Sequence, residues 1–323
     1  MKLINVEQNE AGQRLDKLLA KILNKAPKSF LYKMLRKKNI VLNGKKADGS
    51  EKLVLKDQIT LFLSDETIAQ FSEQPVTRMV KKPLDIIYED PHILVVNKPI
   101  GELSQKAEKE DVSMVEYILS YLISTGQLSE EQLKSFRPGI CNRLDRNTSG
   151  LLIAGKSLPG LQEMSRILKD RSLDKYYLCI VKGRVEEKKR IEGYLSKDGD
   201  INKVTVHPEK REDAEYICTE YDPLLHTAGG FTLLQVKLIT GRSHQIRAHL
   251  ASIKHPLIGD YKYGDQKTNH YFKQNYGLTH QLLHSCRMVL PELTGELAYL
   301  SGKELTAAEP EIFLRIKKEL FDK

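Results

Sequence analysis

Cysteine is scarce in this 323-residue chain and never paired in spacing. Cys141, Cys179, Cys218 and Cys286 stand far apart with no Cys-x-x-Cys, so neither a disulfide framework nor a cysteine zinc site is suggested, and each reads as a small core residue. His244, His249 and His255 lack metal-ligand spacing to nearby acids or cysteines, so no metal is expected. No 18-residue apolar run exists, which removes a membrane-spanning helix and any membrane partner from the expectations. The opening residues Met1-Lys2-Leu3-Ile4-Asn5-Val6-Glu7 carry no apolar stretch or cleavage site of a secretory signal, so a cytoplasmic protein is expected. Internal repeats and low-complexity segments are also missing.

The apolar content is an ordinary 40% and the length allows a sizeable core and more than one domain. Charge is more informative by location than by total. Residues 1–60 hold fourteen Lys/Arg against six Asp/Glu, which accounts for the whole net charge of +8. A basic excess confined to one end suits a phosphate-binding module, because long-range attraction to a polyanion needs clustered charge. A solvated Lys-rich face is the plain alternative.

Leu15, Leu18, Leu19, Ile22 and Leu23 fall on one helical stripe, and 28–38 reads as a second helix with Phe30/Met34 and Leu31/Leu35 at i, i+4. Its outer face is basic. Lys28, Lys33, Arg36, Lys37 and Lys38, followed by Lys45 and Lys46 beyond the Asn43-Gly44 hairpin signal, are the candidate phosphate-binding cations. Strands are expected at 40–42, 53–55 and 59–63. Residues 65–83 are polar and aperiodic, which divides the chain into a small basic domain over 1–64, a linker over 65–83 and a larger domain over 84–323. In that larger domain, strands are expected at 86–88, 93–96, 151–154, 176–181, 214–221 and 231–239. Helices fit 115–123, 158–168 and 243–253. The fold class is therefore α+β with a mostly antiparallel sheet rather than a regular βαβ alternation.

Three segments could carry chemistry. Arg143-Leu144-Asp145-Arg146-Asn147-Thr148-Ser149-Gly150 puts one carboxylate in a basic loop that feeds the apolar run from Leu151 to Ala154, and such loops open onto clefts. Asp145 could equally cap a turn, and the copy of the tripeptide at Arg14-Leu15-Asp16, inside an amphipathic helix, reads as structural. Thr240-Gly241-Arg242-Ser243-His244-Gln245-Ile246-Arg247 gathers many donors at a helix start, as an anion site does, although Ser243 could be a plain N-cap and Arg247 a surface residue. In Lys175-Tyr176-Tyr177-Leu178-Cys179-Ile180-Val181, alternation puts Tyr177 and Tyr176 on opposite faces, so one faces the core or a cleft.

Taken in order, these three segments resemble the core motifs of the RluA-type pseudouridine synthases, with the RluC branch most similar. Tyr88-Glu89-Asp90 through Asn97-Lys98-Pro99-Ile100-Gly101, His255-Pro256-Leu257-Ile258-Gly259-Asp260 through Tyr263-Gly264, and Leu282-Leu283-His284-Ser285 extend the resemblance over residues 12–310. Residues 1–64 resemble an S-four type RNA-binding domain. The chain departs from the pattern at Asn142, where histidine is common, at Ser243, where threonine is usual, and at Lys106-Ala107-Glu108-Lys109-Glu110-Asp111, which replaces a His/Gly-rich segment.

The resemblance implies isomerisation of uridine to pseudouridine in RNA without a cofactor, by a monomer with no obligate protein partner. It points to large-subunit ribosomal RNA, with transfer RNA as the other target. Asp145 matches the catalytic aspartate, as nucleophile or as base in a glycal route. Arg247 matches the arginine that orients it, and an opposing charge within about 4–6 Å would lower an Asp pKa by about 1–3 units. Tyr177 matches the tyrosine that stacks on the base and helps remove its proton. Arg143 resembles the arginine that helps flip the target nucleotide out, and Leu144, Arg146, Thr148, Arg242, His244 and Gln245 complete the expected substrate contacts. Two rival readings stand beside this one. A non-catalytic RNA-binding or ribosome-assembly factor would use only the basic module, and a base-excising glycosylase or glycosidase using Asp145 would need a second acidic residue or an activated water.

Overall fold

The computed structural model describes residues 1–73, 79–199 and 202–322. At the start, β1 (Lys2–Asn5), α1 (Leu15–Ile22), α2 (Lys28–Arg36), β2 (Ile40–Leu42), β3 (Lys45–Lys46) and β4 (Gln58–Leu61) form a four-stranded sheet in the order β1-β4-β2-β3 with the two helices on it. Leu15, Leu18, Leu19, Leu31 and Leu35 meet Ile40, Ile59 and Leu61 in one core, so the helical stripes and the strand alternation bury the same interior. The expected strand at 53–55 is absent. Leu53 is buried, but a turn with Lys56 at φ 74° follows, and Val54 and Leu55 are exposed. The Arg14-Leu15-Asp16 copy is structural: both Asp16 oxygens accept from Arg14, and Tyr32 donates to the same carboxylate.

Within the segment read as linker, α3 (Asp65–Phe71) is helical because Ser64 accepts from the Thr67 N–H and Phe71 packs on Phe30 at 4.4 Å. Residues 74–78 of that segment, and Lys323, lie outside the described residues. The first unit touches the rest of the chain through polar contacts. Asn9 Oδ1 accepts the Leu158 N–H at 3.0 Å, and Ser135 Oγ donates to Glu10 at 2.5 Å.

The larger part is α+β, built on an eleven-stranded sheet. Its elements are β5 (Ile86–Glu89), β6 (Ile93–Lys98), α4 (Met114–Ser124), β7 (Gly139–Ile140), β8 (Ser149–Gly155), α5 (Leu158–Lys169), β9 (Asp174–Lys182), β10 (Lys189–Asp198), β11 (Lys203–His207), β12 (Ala214–His226), β13 (Phe231–Leu238), α6 (Gln245–Ser252), α7 (Gln266–Tyr276), β14 (Leu283–Val289), β15 (Glu304–Thr306) and α8 (Glu311–Phe321). The main path runs β11-β10-β12-β13-β9-β14-β8-β6-β5, with β15 added to β14 and β7 to β8. All neighbours are antiparallel except β14 and β8, which run parallel over His284↔Ser149 and Ser285↔Gly150.

That parallel step needs glycine. Gly150 has φ 112°, and a Cβ there would lie 2.2 Å from the Ser285 carbonyl oxygen. The strand start bearing the Asp145 loop is thereby pressed against β14, next to β9 and Tyr177. The β8 residues Leu151 and Ile153 pack with α5, whereas Leu152 and Ala154 pack with α4 on the other face, so β8 is covered on both sides and reads as a continuous apolar run.

Candidate active site

The three motif segments converge on one open cleft of about 1440 Å³. Asp145, Tyr177 and Arg247 all line it, as do Arg143, Leu144, Arg146, Thr148, Arg242, His244 and Gln245. Lys106, Lys169, Arg171, Lys175, Lys197 and Lys262 add to the wall, which gives the cleft a positive surplus suited to a polyanion. The seven N-terminal cations do not line it. Lys28, Lys33, Arg36, Lys37, Lys38, Lys45 and Lys46 are exposed on α2, the turn after it and β3, and none forms an ion pair among the described residues.

The Asp145 loop is anchored at its backbone from several sides. Ser104 Oγ donates to the Leu144 carbonyl at 2.8 Å and accepts the Leu144 N–H at 2.9 Å. The Arg146 carbonyl accepts from the Gly101 N–H and from Lys98 Nζ, at 2.9 and 3.0 Å. Lys98 is fully buried and also donates to the Pro99 and Glu102 carbonyls. Burial pushes its ammonium pKa down to about 8 against the attraction of Glu102 and Asp145. The Thr148 N–H closes a turn onto the Asp145 carbonyl at 3.0 Å, and Asn142 pairs its amide with the Leu151 carbonyl and the Ile153 N–H. With its backbone held in this way, the loop leaves the Asp145 carboxylate and the two exposed arginines, Arg143 and Arg146, to face the cleft.

Arg247 comes from the opposite wall. Its Nη1 donates to Asp145 Oδ2 at 3.0 Å, while Nε and Nη2 donate to the two oxygens of Asp260 at 2.7 and 3.0 Å. Asp260 is buried and also accepts the Lys262 and Tyr263 N–H groups. Burial alone would raise its pKa, but the Arg247 guanidinium holds it below the usual carboxylate range. The same two carboxylates keep Arg247 firmly protonated despite burial.

His244, rather than Ser243, is the N-cap residue of α6. It adopts φ 53°, a left-handed conformation uncommon outside glycine. Its Nδ1 lies 2.9 Å from the Tyr263 hydroxyl and its Nε2 lies 4.0 Å from Asp145 Oδ2. The Gln245 amide is committed inward, donating to the Cys218 carbonyl and Thr219 and accepting from Thr240 and the Arg242 N–H. Arg242 pairs with Glu215 at the cleft wall.

Tyr177 is the buried tyrosine of the pair, and Tyr176 faces away under the Arg287 guanidinium at 3.9 Å. Burial pushes the Tyr177 phenol up to about 12, and Asp145 adds to the rise. Ser285 lies opposite Tyr177 in the β9–β14 register, and its hydroxyl works against that rise. No three His, Cys, Asp or Glu side chains among the described residues converge on a metal position.

Asp260, Tyr263 and Lys98 carry weight that sequence reading did not assign them. A lone acid after Leu257-Ile258-Gly259 was the available signal, since a carboxylate in an apolar run calls for a buried cation.

The RNA pseudouridylate synthase family profile matches residues 92–252. An uncharacterized RNA pseudouridine synthase of Mycoplasma genitalium is 31% identical over 310 residues, covering 95% of both chains. The chain belongs to the RNA pseudouridine synthases. It is therefore an isomerase acting on RNA, with an RluA-family catalytic domain. Ribosomal large subunit pseudouridine synthase C of Vibrio vulnificus is 27% identical over 300 residues, covering 89% of this synthase and 88% of that one. The D enzyme of Escherichia coli strain K12 is 30% identical over 268 residues, covering 80% and 75%. Human RNA pseudouridylate synthase domain containing 4 shares the fold with TM-score 0.58 at 20% identity, over 73% of this synthase and 92% of that chain. Among the described residues, no helix is long and apolar enough to cross a membrane.

Proposed function

We propose that this synthase converts specific uridines of large-subunit ribosomal RNA to pseudouridine, with Asp145 as the catalytic carboxylate. The observation that carries this reading is the 3.0 Å pairing of Arg247 Nη1 with Asp145 Oδ2 at the wall of a basic cleft that also holds Tyr177. The choice of RNA rests on the similarity to the two ribosomal large-subunit enzymes. It carries with it a cytoplasmic monomer, RluC-like in character.

The reaction breaks the bond between ribose C1′ and uracil N1, turns the base, and joins C1′ to C5, with the C5 proton lost and N1 protonated at the end. Asp145 serves as nucleophile at C1′ or as base in a glycal route, and both need its ionised form. Arg247 Nη1, donating at 3.0 Å, pairs with one carboxylate oxygen and fixes which oxygen faces the ribose. Tyr177, whose phenol burial keeps protonated, offers a ring for uracil to stack on and a hydroxyl donor to its carbonyl. It accepts the C5 proton only if its own proton moves on. Arg143 and Arg146, exposed beside Asp145, bind the phosphates of the flipped nucleotide. Thr148, Arg242, His244 and Gln245 shape the wall, with Leu144 packed beneath. Residues 1–64, as an S-four type domain joined through 65–83 to the catalytic domain, hold flanking RNA by the free cations of α2 and β3.

Asp145→Asn and Asp145→Ala test this directly. Both should yield no pseudouridine on transcribed large-subunit ribosomal RNA while retaining RNA affinity within about threefold. Product at the wild-type level from either variant refutes the assignment of Asp145. Loss of product on that RNA, with activity retained on transfer RNA by the unmodified enzyme, refutes the target.

A further inference from the structure

Tyr263 bridges the β10–β11 hairpin and the start of α6, which also meet where Val204 packs with Ala248. Its hydroxyl accepts the Val204 N–H of β11 at 2.9 Å, and on the other side it lies 2.9 Å from His244 Nδ1. Its backbone N–H is held by Asp260, and the Arg247 guanidinium lies over its ring at 5.3 Å. The side chain is thus fixed in place between the β10–β11 hairpin and the pair formed by His244 and Arg247.

The hydrogen bonds select one histidine tautomer. Since the hydroxyl already accepts from the Val204 N–H, its own proton is free to go to His244 Nδ1 at 2.9 Å, an arrangement that uses both its donor and its acceptor and favours an unprotonated Nδ1. At the other end of the ring, Nε2 faces the Asp145 carboxylate 4.0 Å away. A lone pair pointed at that carboxylate would be repelled, whereas an N–H is attracted. Both ends therefore favour the neutral Nε2–H form. Burial and the neighbouring Arg247 and Lys262 charges oppose a second proton, against the pull of Asp145 and Asp260.

We propose that Tyr263 is a positioning residue that acts through His244: it fixes the Nε2–H tautomer, so that a neutral donor faces Asp145 beside the Arg247 contact, and ties that donor to the β10–β11 hairpin. At 4.0 Å the donor is about 1 Å beyond hydrogen-bond range, so it faces Asp145 without closing the oxygen off from a ribose. The proposal rests on Asp145 as the reacting carboxylate for its effect on rate. The tautomer itself does not depend on that reading.

Long-range ¹H–¹⁵N spectra of ¹⁵N-histidine-labelled full-length protein at neutral pH test it, with the His244 signals assigned by their loss in His244→Asn. Asn is chosen because it tolerates the left-handed backbone at that position. The expected state is Nε2–H in the wild type and an Nδ1–H component in Tyr263→Phe, which retains the ring over Arg247. An Nδ1–H or doubly protonated wild-type His244 overturns the proposal, whether or not the Phe variant folds.

Single-turnover assays on transcribed large-subunit ribosomal RNA supply the second arm. Tyr263→Phe should lower the rate constant about tenfold with the RNA Kd unchanged, and should cause no further loss in the His244→Asn background. Equal losses in both backgrounds, or an unchanged rate in Tyr263→Phe, overturn it. If the wild type makes no product on that RNA, the proposed target fails and the spectra alone decide the role of Tyr263.

Discussion

Asp260 grips Arg247 with both carboxylate oxygens, and this grip leaves one edge of the guanidinium for Asp145. An arginine held by a single oxygen could rotate. With two of its nitrogens fixed in a buried fork, Nη1 has one direction available. The geometry of the cleft therefore depends on an acid that never needs to touch substrate.

Asp260→Asn should uncouple that arrangement. It leaves a buried guanidinium without its main counter-charge, a type of change that costs about 3–5 kcal/mol. Urea unfolding should show this loss. In variant that remains folded, pseudouridine formation should fall far more than RNA affinity. Wild-type stability would mean that the fork carries no net energy.

Lys98→Met sets two effects against each other. The substitution relieves the cost of burying an ammonium whose pKa burial has driven down to about 8. It also strips the Pro99 and Glu102 carbonyls of their donor, while the Arg146 carbonyl keeps the Gly101 N–H. Unsatisfied buried acceptors cost about 1–3 kcal/mol each, so the second effect should win with a net loss on the order of 2 kcal/mol in urea unfolding. A more stable variant would reverse that ranking.

His249 should make stability depend on acidity. Burial lowers its pKa to about 4 from 6.5, and Nδ1 lies 2.9 Å from Thr219 Oγ1. Because the folded-state value is the lower one, the unfolded chain binds the proton first as pH falls. The stabilisation is complete above about 6.5 and is lost as pH drops towards 4, amounting to something on the order of 3 kcal/mol. His244, His280 and His284 shift in the same direction, so the comparison is between wild type and His249→Gln. The variant should give a flatter stability curve over that pH range, and identical slopes would exclude His249 as the source.

The basic face of α2 should govern salt dependence. Replacing Lys33, Arg36 and Lys37 together by alanine in the full-length chain removes three exposed, unpaired cations. If all three meet phosphates of single-stranded RNA, the slope of log K against log salt should flatten by about 2. Melting temperature should hardly change. An unchanged slope would assign these cations to ordinary solvation.

What could be read from sequence was what repeats within a few residues. The stripe from Leu15 to Ile22, the alternation through Tyr177 and the apolar run after Gly150 each signal an element by local spacing, and each formed. The β10–β11 hairpin was missed because its apolar residues are spread thinly among charged and polar ones, Ile191, Tyr194 and Leu195 in β10 and only Val204 and Val206 in the five-residue β11. Helix α7 was missed for a similar reason: Asn269 and Phe272 are its buried residues in an otherwise polar segment. At 53–55, three apolar residues suggested a strand, but two of them face solvent.

The site divides in the same way. Its three motifs carry distinctive side chains and could be found one by one, although the meeting of Asp145 with Arg247 across 102 residues was expected only from the family resemblance and not from spacing. Supports such as Lys98 and Ser104 act on backbone carbonyls, which every residue has, so their partners leave no trace in sequence.

The parallel step between β14 and β8 has a mechanical meaning. It is registered over two residue pairs, beside the long antiparallel ladders on either side. Asp145 belongs to the lobe of the sheet beyond this seam, and Tyr177 and Arg247 to the other. The reach between the carboxylate and its partners is thus set by how closely two halves of one sheet are sewn together, and the stitch that fixes it is the missing side chain of Gly150.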